Sequence, residues 1–153
     1  MALVRNCLLP SDLLYDVPTN IWVRELEGGT VEIGMTDVAQ TLAGSIIHCR
    51  PKKVGKKVKK GKSVATVESG KWVGPVRSPF SGKIAERNDA VAEEAAILNR
   101  SPYKEGWIVR IAPDDLRGDR EGLVGVEEAI TLYEDYMQEK DLASCIHCAG
   151  FEE

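Results

Sequence analysis

No apolar run in this sequence approaches the roughly 20 residues that a membrane-spanning helix needs, so the chain is read without a membrane segment. The beginning, Met1-Ala2-Leu3-Val4-Arg5-Asn6-Cys7-Leu8-Leu9-Pro10, has too little apolar length and no small-residue cleavage site, which excludes a signal peptide and leads to the expectation of a cytoplasmic protein. On that expectation Cys7, Cys49, Cys145 and Cys148 are reduced. Between Arg50 and Lys62 there is no acidic residue and no aromatic one, yet eight are basic: Arg50, Lys52, Lys53, Lys56, Lys57, Lys59, Lys60 and Lys62. Without interleaved aromatic platforms, and in a chain of net charge −4, that run argues against nucleic acid. It fits either a solvated, aggregation-resistant loop and edge or a dock for an acidic protein. The opposite sign is concentrated from Asp114 onward, with twelve acidic residues against Arg117, Arg120 and Lys140.

What is present is enough for one ordinary domain. A chain of 153 residues, 43% hydrophobic, can bury a core without disulfides. Residues 1–19 show no clear period, are broken by Pro10 and Pro18, and are read as an N-terminal arm. From Asn20 the pattern firms. Ile21–Leu26 and Thr30–Ile33 flank Glu27-Gly28-Gly29, a hairpin signal. Thr36 caps a short helix that runs through Leu42 and stops at Gly44. Ser45–Cys49 reads as a strand that sends either His48 or Cys49 to the core, and the valines of Val54-Gly55-x-x-Val58-x-x-Gly61 pin a turn segment to it.

Strands at Ser63–Val67 and Trp72–Val76 then enclose Glu68-Ser69-Gly70-Lys71, which puts Lys71 at a hairpin tip. Asn88-Asp89 caps a helix over Ala90–Leu98, and Gly106–Ile111 is a further strand. Many short strands with two short helices make a small all-β sandwich or partly open barrel. The carrier domain so delimited is 20–112. After Pro113 the extension 113–153 holds an amphipathic helix at about 125–141, with Val126, Ala129, Ile130, Tyr133, Tyr136 and Met137 on one face, and a tail with Cys145-Ile146-His147-Cys148.

These residues, in register, resemble the glycine cleavage H-protein family of the lipoyl and biotinyl carriers. The matches are Trp22-Val23-Arg24, Gly34-Met35-Thr36-Asp37-Val38-Ala39-Gln40, the Gly55/Val58/Gly61 spacing, Glu68-Ser69-x-Lys71, Pro79-x-x-Gly82, and Asn99-x-x-Pro102-Tyr103-x-Glu105-Gly106-Trp107. The resemblance covers about residues 20–111. It implies a mainly β barrel-sandwich hybrid and a non-enzymatic carrier. Its lipoate would be joined by an amide to Lys71, with Glu68, Ser69, Gly70 and Trp72 as the attachment context. Biotinyl carriers have Met on both sides of the lysine, whereas Gly70 and Trp72 stand here.

Within that resemblance two branches diverge. Trp72-Val73-Gly74-Pro75 replaces the Ala-Ala-Ser-Asp usual after the lysine in glycine cleavage proteins, the Gly55–Gly61 stretch is basic, and a Cys-x-x-Cys tail is added. On these grounds the chain most resembles the lipoate-binding proteins of the heterodisulfide-reductase-like sulfur-oxidising system. That branch implies an arm shuttling sulfur-containing intermediates, loaded by a lipoate ligase or lipoyl-assembly enzymes. Its partners would be a heterodisulfide-reductase-like complex and sulfur-transfer proteins. The alternative is an H-protein carrying an aminomethyl group among glycine cleavage enzymes.

A reading from another class makes Cys145 and Cys148 a redox pair, by their spacing. Zinc would require them to converge with Cys7, Cys49, His48 or His147. Haem attachment is disfavoured because Ala149 stands where the histidine is needed.

Overall fold

The computed structural model describes residues 1–152. The fold is mainly β with short helices, and its strands lie in three sheets. The unperiodic beginning of the chain is ordered by two left-handed residues, Arg5 and Asn6 (φ 47° and 65°), which turn β1 (Ala2–Val4) back onto β2 (Cys7–Leu9). The next strand, β3 (Leu14–Asp16), enters the main sheet beside β4 (Ile21–Glu25). That sheet runs β3-β4-β5-β11-β10-β7, with β5 at Val31–Met35, β7 at Lys57–Val58, β10 at Gly82–Arg87 and β11 at Trp107–Pro113. A three-stranded sheet of β6 (Ile46–Pro51), β8 (Ser63–Ser69) and β9 (Val73–Arg77) closes over it in the order β6-β8-β9.

Alternation places the core between these two layers. Val64, Ala65 and Val67 from β8, Val76 from β9 and Cys49 from β6 meet Val31, Ile33, Ile84, Val109 and Ile111 of the main sheet in one buried cluster. Cys49 is the inward residue of its pair and His48 is exposed. Val58 is buried, but Val54 is 57% exposed: Gly55, at φ 90°, turns the chain there and Val54 stays on the outer side of the turn.

A second cluster joins the two ends of the chain. Helix α5 (Val126–Glu139) buries Ala129, Tyr133 and Met137 against Val4, Cys7, Leu9, Tyr15 and Trp22. Its stripe is therefore covered by the first twenty-two residues. Trp22 is fully buried, donates its indole N–H to the Pro102 carbonyl (2.9 Å), and lies so close to Gly34 that a Cβ there would come within 2.6 Å of the ring.

Helix α1 (Asp37–Ala43) begins with the Thr36 hydroxyl accepting from the Ala39 N–H and ends at Gly44, φ 77°. The helix expected over 90–98 is two pieces, α2 (Asp89–Glu93) and α3 (Ile97–Arg100). Glu94 leaves helical geometry (φ −135°, ψ 86°), and the break re-aims Ile97 and Leu98 into the core. A short helix α4 (Leu116–Arg120) precedes α5. None of the helices among the described residues is long and apolar enough to cross a membrane.

Candidate functional site

The hairpin that carries Lys71 is closed by a two-residue turn. The Ser69 N–H donates to the Trp72 carbonyl (2.7 Å), and the Ser69 hydroxyl accepts from the Lys71 N–H (3.3 Å). Gly70, Lys71 and Trp72 are exposed, Glu68 is half-buried and Ser69 is buried. The exposed tip therefore stands on a fixed base, since β8 is the middle strand of its sheet and is paired on both sides. The Lys71 side chain lies across the end of α1. A Cβ on Gly44 would sit 3.2 Å from Lys71 Cε, so glycine serves there both the positive φ and the close approach of the lysine stem.

Two cavities flank this tip. The smaller, about 180 Å³, is lined by Ile21, Met35, Leu42, Trp72, Pro75 and Val76 among others. Trp72 folds over Gly74, where a Cβ would clash with its ring. The cavity also meets Asn20, whose amide N–H donates to the Tyr136 hydroxyl (2.8 Å) while its buried Oδ1 has no hydrogen-bond partner among the described residues. The larger, about 400 Å³, lies on the other side, between α1, α3 and the C-terminal tail, and Lys71, Arg100, Asn99 and Cys148 reach its wall. Among the described residues no carboxylate lines either cavity.

Asn99 fixes the frame of the larger cavity. Its side-chain oxygen accepts from the Ile46 N–H (2.9 Å), and its amide donates to the Gln40 side chain (3.0 Å) and to the Gly44 carbonyl (2.9 Å). It thereby holds β6, α1 and the glycine under Lys71 in one geometry. Gln40 in turn donates to Asp37 and to the Ile146 carbonyl of the tail. Neither role was visible from residue type and spacing, because both depend on contacts more than fifty residues apart in sequence.

The tail is built into this wall. Cys145 does not pair with Cys148; it forms a disulfide with Cys7, 138 residues away. The Arg5-Asn6 turn brings Cys7 beneath α5, and the left-handed Asp141 (φ 56°) turns the chain back beneath the helix end, so the two cysteines meet with Cα atoms 4.9 Å apart. The expectations of four reduced cysteines and of a Cys145/Cys148 redox pair are both overturned. Beyond the disulfide, Ile146 donates its N–H to the Thr41 hydroxyl (3.2 Å), and His147 Nε2 lies 2.7 Å from Asp37 Oδ2. The His147 ring stacks on Phe151, and the Ser101 hydroxyl donates to Glu152 (2.7 Å).

The remaining thiols are unlike each other. Cys49 is buried and burial pushes its thiol up to about 12, whereas Cys148 is exposed. Among the described residues no three or more His, Cys, Asp or Glu side chains come together as a metal site would require. The basic run lies at the other end of the hairpin, about 20 Å from Lys71 given the length of a seven-residue strand. None of its eight charges enters an ion pair among the described residues.

A glycine cleavage H-protein family model matches residues 13–137, which includes both layers, the Lys71 hairpin and most of α5. The chain belongs to this family. Among curated relatives, glycine cleavage system H protein 5 of Aquifex aeolicus is 47% identical over 144 residues, 92% of this chain and 97% of that one. H protein 2 of the same organism is 44% identical over 138 residues, 90% and 86%. A probable glycine cleavage system H protein 2 of Sulfolobus acidocaldarius is 41% identical over 143 residues, 92% and 95%. The crystal structure of a glycine cleavage system H protein from Mycobacterium marinum superimposes with a TM-score of 0.72 at 28% identity, covering 82% of this chain and 98% of that one. Proteins of the H-protein family carry lipoate covalently on a lysine and act as carriers rather than catalysts. The family match ends at residue 137, inside α5, and the tail beyond it is tied down by Cys145.

Proposed function

We propose that this chain is a swinging-arm carrier with lipoate in amide linkage to Lys71. The observation that carries the reading is the position of Lys71: exposed at the two-residue turn that joins the middle strand β8 to β9, between two cavities. A modifying enzyme reaches such a lysine without unfolding its surroundings, and the paired strands hold its position while the arm moves. Amide formation removes the ammonium charge. The dithiolane supplies the reactivity, so the protein needs no general base of its own.

The first reading of the cargo is an aminomethyl group passed among glycine cleavage enzymes, supported by the names of the relatives. A second reading, a sulfur-containing group passed among enzymes of sulfur oxidation, is supported by the cavities. An aminomethyl arm ends in a cationic amine, and among the described residues no carboxylate lines either cavity beside Lys71. Ile21, Trp72, Pro75 and Val76 offer an apolar wall suited to a neutral sulfur group.

The experiment is a pair of loading assays on the lipoylated chain. One supplies glycine and glycine decarboxylase and looks for the aminomethyl mass on the arm. The other supplies sulfur-transfer proteins with a persulfide donor and looks for added sulfur. Loading in the first alone supports the aminomethyl cargo, loading in the second alone supports sulfur, and loading in neither removes both.

A further inference from the structure

The segment after residue 137 is not needed to complete the two sheets, yet it is tied down along its length. Disulfide Cys7–Cys145 holds one end, Gln40 and Thr41 hold Ile146, Asp37 holds His147, and Ser101 holds Glu152. The result is that Ile146, Cys148 and Ala149 line the same 400 Å³ cavity that Lys71 lines. The Cys-x-x-Cys spacing has no local partnership to offer, since Cys145 is already bonded to Cys7. Cys148 is thus an accessible thiol with no partner cysteine nearby, because the other free thiol, Cys49, is buried on β6.

We propose that the cavity between Lys71 and the tail is a docking site for the tip of the lipoyl arm, and that Cys148 is the residue that reacts with it. This rests on lipoate being attached at Lys71. Cys148, as its thiolate, attacks one sulfur of the oxidised dithiolane. The ring S–S bond breaks and a Cys148–lipoyl S–S bond forms. The proton lost by Cys148 and the proton gained by the released lipoyl sulfur balance through solvent, and the number of disulfides is unchanged.

The product is a mixed disulfide with the arm anchored in the cavity and its second sulfur free as a thiol. That thiol can attack the mixed disulfide in turn, reclose the ring and release Cys148. No external oxidant or reductant is required in either direction. While anchored, the arm is withheld from other thiols in solution. The tethering of both reactants to one chain supplies the high local concentration the exchange needs.

The test uses the full-length lipoylated chain with its arm oxidised, quenched in acid, blocked with N-ethylmaleimide and digested without reductant. Intact mass is recorded first, to establish that one lipoyl group is present. The expected result is a peptide containing lipoyl-Lys71 disulfide-linked to a peptide containing Cys148. It disappears on reduction and is missing from Cys148→Ser, which keeps the Cys7–Cys145 bond. In the native chain Cys148 should also alkylate about tenfold more slowly when the arm is present and oxidised than in Lys71→Arg, as expected for a tethered competitor. A chain with one lipoyl group, no such cross-link and equal alkylation rates would overturn the inference. A chain that gains no lipoyl group on Lys71 would instead overturn the reading on which it rests.

Discussion

His147 Nε2 and Asp37 Oδ2 lie 2.7 Å apart although 110 residues separate them. Asp37 opens α1 and its side chain is fully buried; the same oxygen accepts from the Leu8 N–H (2.7 Å), and the other accepts from Gln40 (2.9 Å). One carboxylate thereby joins the first hairpin, the helix under Lys71 and the C-terminal tail. His147→Ala is expected to destabilise the fold by about 0.5–1.5 kcal/mol, the range for losing one hydrogen bond at an acceptor that keeps another. Urea unfolding measures this, and hydrogen exchange at the Ile146 amide should speed up in the variant. Unchanged stability and exchange would remove the tail from the structural role given to it.

The covalent tie makes a separate prediction. Non-reducing peptide mapping of the chain without lipoate should recover Cys7 linked to Cys145 and leave Cys148 alkylable. The double variant Cys7→Ser/Cys145→Ser should lose about 2–4 kcal/mol, as expected for opening a long loop. Recovery of a Cys145–Cys148 link instead would restore the redox pair that the spacing suggested.

Gly44 sits at φ 77° and ψ −159°, a region open in practice only to glycine, with Lys71 Cε 3.2 Å from where a Cβ would be. Gly44→Ala should therefore cost about 1–3 kcal/mol in backbone strain and displace the lysine stem. Thermal unfolding reads the first effect. The rate of lipoylation by a ligase reads the second, and is expected to fall while Gly55→Ala, in the turn between β6 and β7 and outside the Lys71 hairpin, leaves it unchanged.

Stability should fall in alkali. Burial raises the ionisation of Tyr15, Tyr103 and Tyr133 above the usual tyrosine value of 10.0, and raises Cys49 from 9.0 to about 12. Each group stays protonated in the native state while the unfolded chain has already released its proton, so the native state binds more protons and stability declines as pH rises. The contribution of Cys49 is complete below pH 9.0 and is lost as pH rises towards about 12, and the tyrosines steepen the decline above 10.0. Denaturant midpoints measured between pH 8 and pH 11 (about this span is where the unfolded groups titrate) should drop progressively. A flat profile would contradict the burial of these groups.

Much of this was legible in the sequence where the signal is local. The Thr36 cap, the Gly44 stop, the hairpin at Gly28-Gly29 and the alternating strands around Lys71 follow from residue type and short spacing. The stripe on α5 was also readable, though not what covers it. The unperiodic first residues could not be placed, because their order comes from two left-handed turn residues and from a helix more than 120 positions away. The cysteine tail misled for the same reason. Spacing reports only the neighbour three residues on, whereas Cys145 found its partner through the tertiary fold. In the site itself, the turn placed Lys71 at a hairpin tip and the family resemblance gave it a role; Asp37, Gln40 and Asn99 belonged to the matching motifs, but the bonds by which they hold the ground beneath it were not readable, since most of their partners lie in distant segments.

The central claim concerns one side chain. Co-expression with a lipoate ligase, followed by intact-mass measurement of the native chain and of Lys71→Arg, tests it directly. The account predicts a gain of one lipoyl mass on the native chain, mapped to Lys71, and none on the variant. A lipoyl group that persists in Lys71→Arg, or a native chain that gains none, would contradict it.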